Sequence, residues 1–328
     1  MTGSEVSAFW VVVPGKGELR TERLGPVQPD DVLVRTLYSG VSRGTESLVF
    51  RGEVPPGESV RMRAPFQGGE FPGPVKYGYA NVGVVEQGPA ALMGKTVFCL
   101  YPHQTRYVVP ATAVQPVPDS IPAGRAVLTA NVETALNAVW DAALKESDRV
   151  AVIGAGVVGS LVAWLAKRTA GCDVILIDIN PQREAVAHAL GLAFSTPQAA
   201  LSRQAQRADK IIHASGAPEG LLLALQLAAF EATIVEMSWY GNKLVPLPLG
   251  EAFHALRLTL KSSQVGSIAP SHRATWTYER RLAHALGLLA DERLDVLINS
   301  ESAFSELPAV MPRLVAAGGN ILCHRVIY

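Results

Sequence analysis

Residues 149 to 159 read Arg149-Val150-Ala151-Val152-Ile153-Gly154-Ala155-Gly156-Val157-Val158-Gly159, and this stretch decides the fold. Val150 to Ile153 is a short apolar run rich in β-branched residues, and three glycines in GxGxxG spacing follow before a helical pattern over Ser160 to Lys167. Gly154 permits a tight turn out of the strand, Gly156 lets backbone approach a pyrophosphate, and Gly159 lets the helix pack close. The helix N-terminus then offers unbonded N–H groups to an anion.

A second apolar run, Val174 to Ile177, ends at Asp178, at the distance past the glycines where a dinucleotide site places an acidic residue. Its carboxylate suits the ribose hydroxyls of adenosine and repels a 2′-phosphate, so NAD is favoured over NADP. Arg183 has two readings, a partner for such a phosphate or a solvated position on a helix over Pro181 to Leu190.

With 328 residues and 48% hydrophobic content the chain is long enough for about two domains. Lys plus Arg and Asp plus Glu are both 29, which points away from nucleic acid and anionic membranes and toward a small-molecule substrate. Cys99, Cys172 and Cys323 match no disulfide or CxxC pattern, which suits a reducing cytoplasm. No signal peptide or membrane span is legible.

The first third alternates β-propensity runs (Phe9 to Val13, Asp31 to Tyr38, Asn81 to Glu86, Lys95 to Leu100, Arg106 to Val109) with Gly/Pro turns, predicting a partly barrel-like antiparallel domain. Arg51 to Lys76 is proline-rich without period, a candidate wall of a substrate cleft. Its Arg51, Arg61, Arg63 and Lys76 are either receivers of an acidic substrate or ordinary solvated charge. From about Ala123 helix and strand alternate: a helix over Ala126 to Ala142, the glycine unit, a third apolar strand at Lys210 to Ala214, a helix over Gly220 to Phe230, and strands at Ala232 to Met237 and Arg257 to Lys261. That alternation predicts an α/β, doubly wound parallel sheet. The tail predicts a helix over Tyr278 to Ala290, a strand around Val296 to Asn299, a helix from Leu307 to Ala317 stopped by Gly318-Gly319, and a strand at Ile321 to Ile327. The expected division is a substrate domain of residues 1–122 plus 269–328 around a nucleotide domain of residues 123–268. The edge strand Arg257 to Lys261 predicts a homodimer joined sheet to sheet.

This order, with Tyr38-Ser39-Gly40-Val41-Ser42, Gly78-Tyr79-Ala80-Asn81-Val82-Gly83, Asp178-Ile179-Asn180 and Val296-Leu297-Ile298, resembles the medium-chain dehydrogenase/reductase superfamily over nearly the whole chain. The resemblance implies a Rossmann domain inserted into a GroES-like β-rich domain, and an NAD(P)-dependent oxidoreductase. Ser39 to Glu46 is most similar to the branch containing the bacteriochlorophyllide hydroxyethyl dehydrogenases. Residue by residue, the resemblance places Gly154, Gly156, Val157, Val158 and Gly159 at the pyrophosphate, Asp178 and Ile179 at the adenosine ribose, and Ser215 and Gly216 at the next strand end. It places Met237, Ser238, Ser263 and Val265 toward the nicotinamide, and Arg43 within reach of the pyrophosphate or simply on the surface.

Zinc alcohol dehydrogenases carry ligands where this chain has Ser42, Tyr79-Ala80 and about Asn131, none a normal zinc donor. The expectation is therefore a zinc-independent site. Of the seven histidines (His103, His188, His213, His254, His272, His284, His324), His103 is the best active-site candidate, with a loop hydrogen bond as its other reading. His213, inside an apolar strand, reads as a satisfied core residue. Tyr79, Ser42 and His103 are the candidate donors to a developing oxyanion, Tyr79 being either catalytic or an aromatic wall. The expected reaction is hydride transfer on an alcohol/carbonyl pair; reduction of activated C=C bonds and non-catalytic dinucleotide sensing stay open.

Overall fold

The computed structural model describes residues 5–202, 207–316 and 319–328, with the side chains of 169 and 170 excepted. It divides into one unit of residues 1–130 and 282–328 and another of residues 131–281. Both divisions fall inside helices, Thr129–Ala142 and Tyr278–Leu288, and not at the loops near 122 and 268 that composition suggests.

Among the described residues the continuous unit holds six strands: β1 (Arg149–Ile153), β2 (Asp173–Ile177), β3 (Ala193–Ser195), β4 (Ala208–His213), β5 (Ala228–Glu236) and β6 (Thr259–Ser262). All pair in parallel, in the order β3-β2-β1-β4-β5-β6. The order reverses beside β1, so a crevice opens at the carboxyl ends of β1 and β4, where such sheets bind ligands. Val150 to Ile153 are all buried, the near-continuous apolar run that a central parallel strand needs when helices cover both faces. The expected Lys210 to Ala214 strand is thus the fourth in sequence. β3, three residues long, is too short to show a period.

The discontinuous unit is built on two sheets. One runs Lys16–Arg23, Glu5–Val13, Val75–Lys76, Gly68–Gly69; the other runs Ile298–Ala303, Cys323–Ile327, Asp31–Val41, Asn81–Gln87, Thr96–Cys99, Val114–Pro116, with Arg106–Pro110 also on Asp31–Val41. Of the tail, Val296 and Leu297 lie in a 3-10 turn (Glu292–Leu297) rather than a strand, and the last helix is Leu307–Leu314. The expected helix end at Ala317 and its stop at Gly318 lie outside the described residues. Of the four cations in Arg51 to Lys76, Arg61 is solvated as one reading expects, whereas Lys76 is buried. Arg51 ends a helix (Arg43–Arg51), and Arg51, Arg61 and Arg63 pair with Glu53, Glu58 and Glu70. Lys76 is buried, its Nζ 2.6 Å from Glu22 Oε2 and 2.7 Å from Gln104 Oε1. Each of these cations is paired with a carboxylate, that of Glu70 largely exposed.

His324 illustrates a buried neutral base. Its Nδ1 and Nε2 each lie 2.9 Å from a serine hydroxyl, Ser300 and Ser302, and burial, with smaller effects from His103 and Arg313, lowers its pKa to about 4. Because the folded pKa lies below the unfolded value, the contribution to stability is complete above roughly pH 6.5 and is lost as pH falls toward 4 and below. Over that window one proton is linked, which amounts to about 3 kcal/mol at most. Urea titrations between pH 7 and 4 should show this loss in the wild type and a shallower pH slope in His324→Gln. An unchanged slope would exclude His324 as its source.

Candidate nucleotide and oxyanion sites

The glycine turn is packed as tightly as its spacing suggests. Gly154 has φ +104°, and a Cβ there would stand 2.7 Å from the Ser215 nitrogen. A Cβ on Gly159 would fall 1.8 Å from the Gly154 carbonyl oxygen, so helix and turn interlock only without side chains. Gly156 is different: it is exposed, and nothing stands within 4 Å of a Cβ placed on it. It caps the helix Val157–Ala170 with no side-chain hydrogen bond, leaving the first-turn N–H groups to an anion or to water.

Asp178 closes β2 and braces this turn. Its Oδ2 accepts from Ala155 N–H at 2.6 Å and its Oδ1 from Asn180 N–H at 2.8 Å. Ile179 beside it is 85% exposed, an apolar surface suited to a flat base. Arg183 is buried, correcting its reading as a solvated residue, and burial lowers its pKa against the opposing pull of Asp178. Open space at Gly156, uncapped amides, an exposed isoleucine and a carboxylate at the adjacent strand tip together fit a dinucleotide.

At the other strand ends, Gly216 has φ +69° and its N–H donates to Ser238 Oγ at 3.0 Å. Met237 N–H donates to the His213 carbonyl at 3.0 Å. Ser263 Oγ donates to Asp141 Oδ2 at 2.8 Å, and the Val265 carbonyl accepts from Arg281 Nη2 at 2.5 Å. A separate cavity of about 250 Å³ is lined by Arg149, Asp173 and Ala208 at the amino ends of the strands and extends to Ile177 at the carboxyl end of β2.

In the discontinuous unit, Ser42 N-caps the helix Arg43–Arg51 and its N–H donates to Glu46 Oε1 at 2.7 Å. Glu46 Oε2 lies 2.9 Å from His103 Nε2, His103 Nδ1 lies 2.7 Å from Ser39 Oγ, and Ser39 Oγ lies 2.9 Å from the Tyr328 hydroxyl. Ser39, Glu46 and His103 are all buried, so the loop hydrogen bonds of His103 lie within an enclosed chain of polar groups. Tyr79 is half-buried and hydrogen-bonded to Ser42 and Thr45; burial first, then the charge of Glu46, push its pKa up to about 12. Sequence reasoning found His103, Ser42 and Tyr79 but missed Ser39, Glu46 and Tyr328, whose spacing along the chain carries no signal. Arg43 is not on the open surface. Its guanidinium donates to the carbonyls of Leu314 (2.8 Å), Ile321 and Ala316 (3.3 Å), which clamps the segment after the last helix and gives no support to a pyrophosphate contact.

A family model described as zinc-binding dehydrogenase matches residues 157–284. L-threonine 3-dehydrogenase of Rhizobium rhizogenes is 30% identical over 148 residues, which span 44% of this chain but only 41% of that protein. Two solved structures superpose along the chain: a short chain alcohol dehydrogenase from Escherichia coli complexed with NADH (TM-score 0.78, 16% identity, 99% of this chain and 100% of that one), and a putative zinc-binding dehydrogenase from Sinorhizobium meliloti bound to NADP (TM-score 0.78, 20% identity, 99% and 100%). Over the matched segment the chain is similar to zinc-binding dehydrogenases, and along its length it shares the fold of these two solved dehydrogenases. Zinc, which the family model's description implies, does not fit the residues present. Ser42 and Tyr79 engage each other, Ala80 has no donor, and among the described residues no group of three or more His, Cys, Asp or Glu could hold a metal. Nor is any helix among them long and apolar enough to cross a membrane.

Proposed function

We propose that this chain is a member of the medium-chain dehydrogenase/reductase superfamily and an NAD(H)-dependent, zinc-independent oxidoreductase acting on an alcohol/carbonyl pair of a small molecule. The observation that carries the reading is the glycine turn of Gly154 to Gly159 with Asp178 at the neighbouring strand tip, at the reversal of the parallel sheet. A bound nicotinamide supplies or accepts the hydride. The chain's own part is to hold the pyrophosphate on the uncapped helix start, to read the adenosine ribose with Asp178, and to stabilise the substrate oxygen with the Tyr79 hydroxyl. Product analysis separates this from alkene reduction: a new hydroxyl beside a retained double bond supports it, a saturated bond beside an intact carbonyl does not. NADH binding without turnover on either substrate type would leave only a sensor.

Asp178→Ala is expected to weaken NADH binding on the order of tenfold, from loss of charge-assisted hydrogen bonds. Because Asp178 also braces Ala155, NADPH binding falls as well, so the informative quantity is the NADH/NADPH affinity ratio, which should shrink. A wild type that binds NADPH more tightly than NADH would overturn the cofactor assignment.

The homodimer belongs to this proposal too. Among the described residues β6 pairs with β5 alone, and Leu260 on it is partly exposed, an edge that a second copy would cover. Light scattering at micromolar concentration should give twice the chain mass for the wild type and the monomer mass for Leu260→Pro. A wild-type monomer ends that assignment.

A further inference from the structure

His213 ends β4 fully enclosed, yet two residues on stands the exposed Ser215. The imidazole Nε2 lies 2.6 Å from Ser215 Oγ. Its Nδ1 lies 2.7 and 2.9 Å from the carboxylate oxygens of Glu236, the residue paired with it across the sheet at the end of β5. The carboxylate is itself held, accepting from Ser238 N–H at 2.7 Å and from the Tyr240 hydroxyl at 3.1 Å. Room for the imidazole and serine is left by Gly220, where a Cβ would stand 2.4 Å from both His213 Nε2 and Ser215 Oγ.

With a neutral imidazole these contacts set one polarity: the Glu236 carboxylate accepts from Nδ1–H, Nε2 accepts from the Ser215 hydroxyl, and the hydroxyl hydrogen turns inward. Ser215 Oγ also accepts from Ala217 N–H at 3.2 Å, and what it offers outward is a lone pair. The trio has the order of nucleophile, base and orienting acid found in hydrolases. The oxyanion donors such chemistry needs are spoken for, since Gly216 N–H donates to Ser238 Oγ and Ala217 N–H to Ser215 itself. The geometry makes Ser215 an oriented acceptor and not an attacking group.

We propose that His213, held by Glu236, is a positioning residue that fixes Ser215 as a hydrogen-bond acceptor for a ribose hydroxyl on the nicotinamide half of the dinucleotide. The inference rests on the dinucleotide reading above. A doubly wound sheet of this order is built from two mononucleotide-binding halves. Asp178 at the end of β2 takes the adenosine half, and β4 and β5 form the other, with Ser215 at its rim.

Calorimetric titration of NADH and, separately, of AMP into wild type, His213→Gln and Ser215→Ala tests this. NADH affinity should fall about tenfold in both variants, the loss of one oriented hydrogen bond. AMP affinity, which reports the adenosine half and the integrity of the fold, should stay at the wild-type value. An equal loss of AMP affinity in Ser215→Ala would make the role structural and overturn the proposal, as would unchanged NADH affinity in that variant. Labelling of Ser215 by a fluorophosphonate, abolished in His213→Gln, would overturn it in favour of a nucleophile. If the wild type binds AMP but not NADH, the dinucleotide reading fails first and this inference with it.

Discussion

Tyr79→Phe is expected to lower turnover about a hundredfold while leaving NADH affinity unchanged. The hydroxyl is held by Ser42 and Thr45, and burial together with the Glu46 charge raises its pKa to about 12. At neutral pH it therefore stays protonated, a neutral donor already oriented before any negative charge develops on a substrate oxygen. Removing one such preorganised donor costs roughly 10²–10³ in rate, because in a water-excluded site nothing replaces it. Steady-state kinetics of both proteins, with NADH binding measured directly, give the two numbers. Unchanged turnover would reduce Tyr79 to a wall and shift the role to Ser42, since both ring nitrogens of His103 are already engaged by Glu46 and Ser39. Elemental analysis showing about one zinc per chain, with chelator-sensitive activity, would instead assign the oxyanion to a metal.

Arg281→Leu should produce the largest loss of stability, about 3–5 kcal/mol, the cost of leaving a buried charge without its partner. Arg281 is 2% exposed. Its Nε donates to Glu133 Oε1 at 3.0 Å, its Nη1 to Asn137 Oδ1 at 2.6 Å and its Nη2 to the Val265 carbonyl at 2.5 Å. One guanidinium thus ties the helix Thr129–Ala142 to the segment after β6, where Val265 belongs to the proposed nicotinamide side. Burial raises the pKa of Glu133 against the pull of Arg281, so without the arginine this carboxyl would sit uncompensated. The double variant Arg281→Leu/Glu133→Leu should recover much of the loss in urea unfolding. A single variant within 1 kcal/mol of wild type would show that the pair contributes little.

What could be read from the sequence alone follows from how local each signal is. The glycine turn, β1, β2 and Asp178 are neighbours along the chain and share one strand-turn-helix-strand unit, so spacing sufficed. β5 and the helix Pro218–Leu227 were recognisable in kind but displaced at their ends, as expected where apolar runs continue past the last hydrogen bond. β3 was too short to register. The relay of Ser39, Glu46, His103 and Tyr328 spans 289 positions at its widest hydrogen bond, and no periodicity connects such residues. His213 was foreseen as a satisfied core residue and is one; that its partners are Glu236 and an exposed Ser215 depends on strand register, which only pairing of β4 with β5 reveals. Arg183 is buried although its sequence position reads as solvated, because a long cationic side chain gives no sign of burial until its neighbours, here Asp178, are known.

The strand Cys323–Ile327 lies between Ile298–Ala303 and Asp31–Val41 in the larger sheet of the discontinuous unit. Its place has a consequence for birth order on the ribosome. Residues 131–281 form a continuous stretch that can fold as soon as it emerges. Residues 1–130 emerge earlier yet must wait, because the edge of Asp31–Val41 that pairs from Val41↔His324 through Tyr38↔Ile327 stays open until residues 324–327 have emerged. During that interval the oldest part of the chain is the least finished, and its open strand edge is the one most exposed to pairing with another chain.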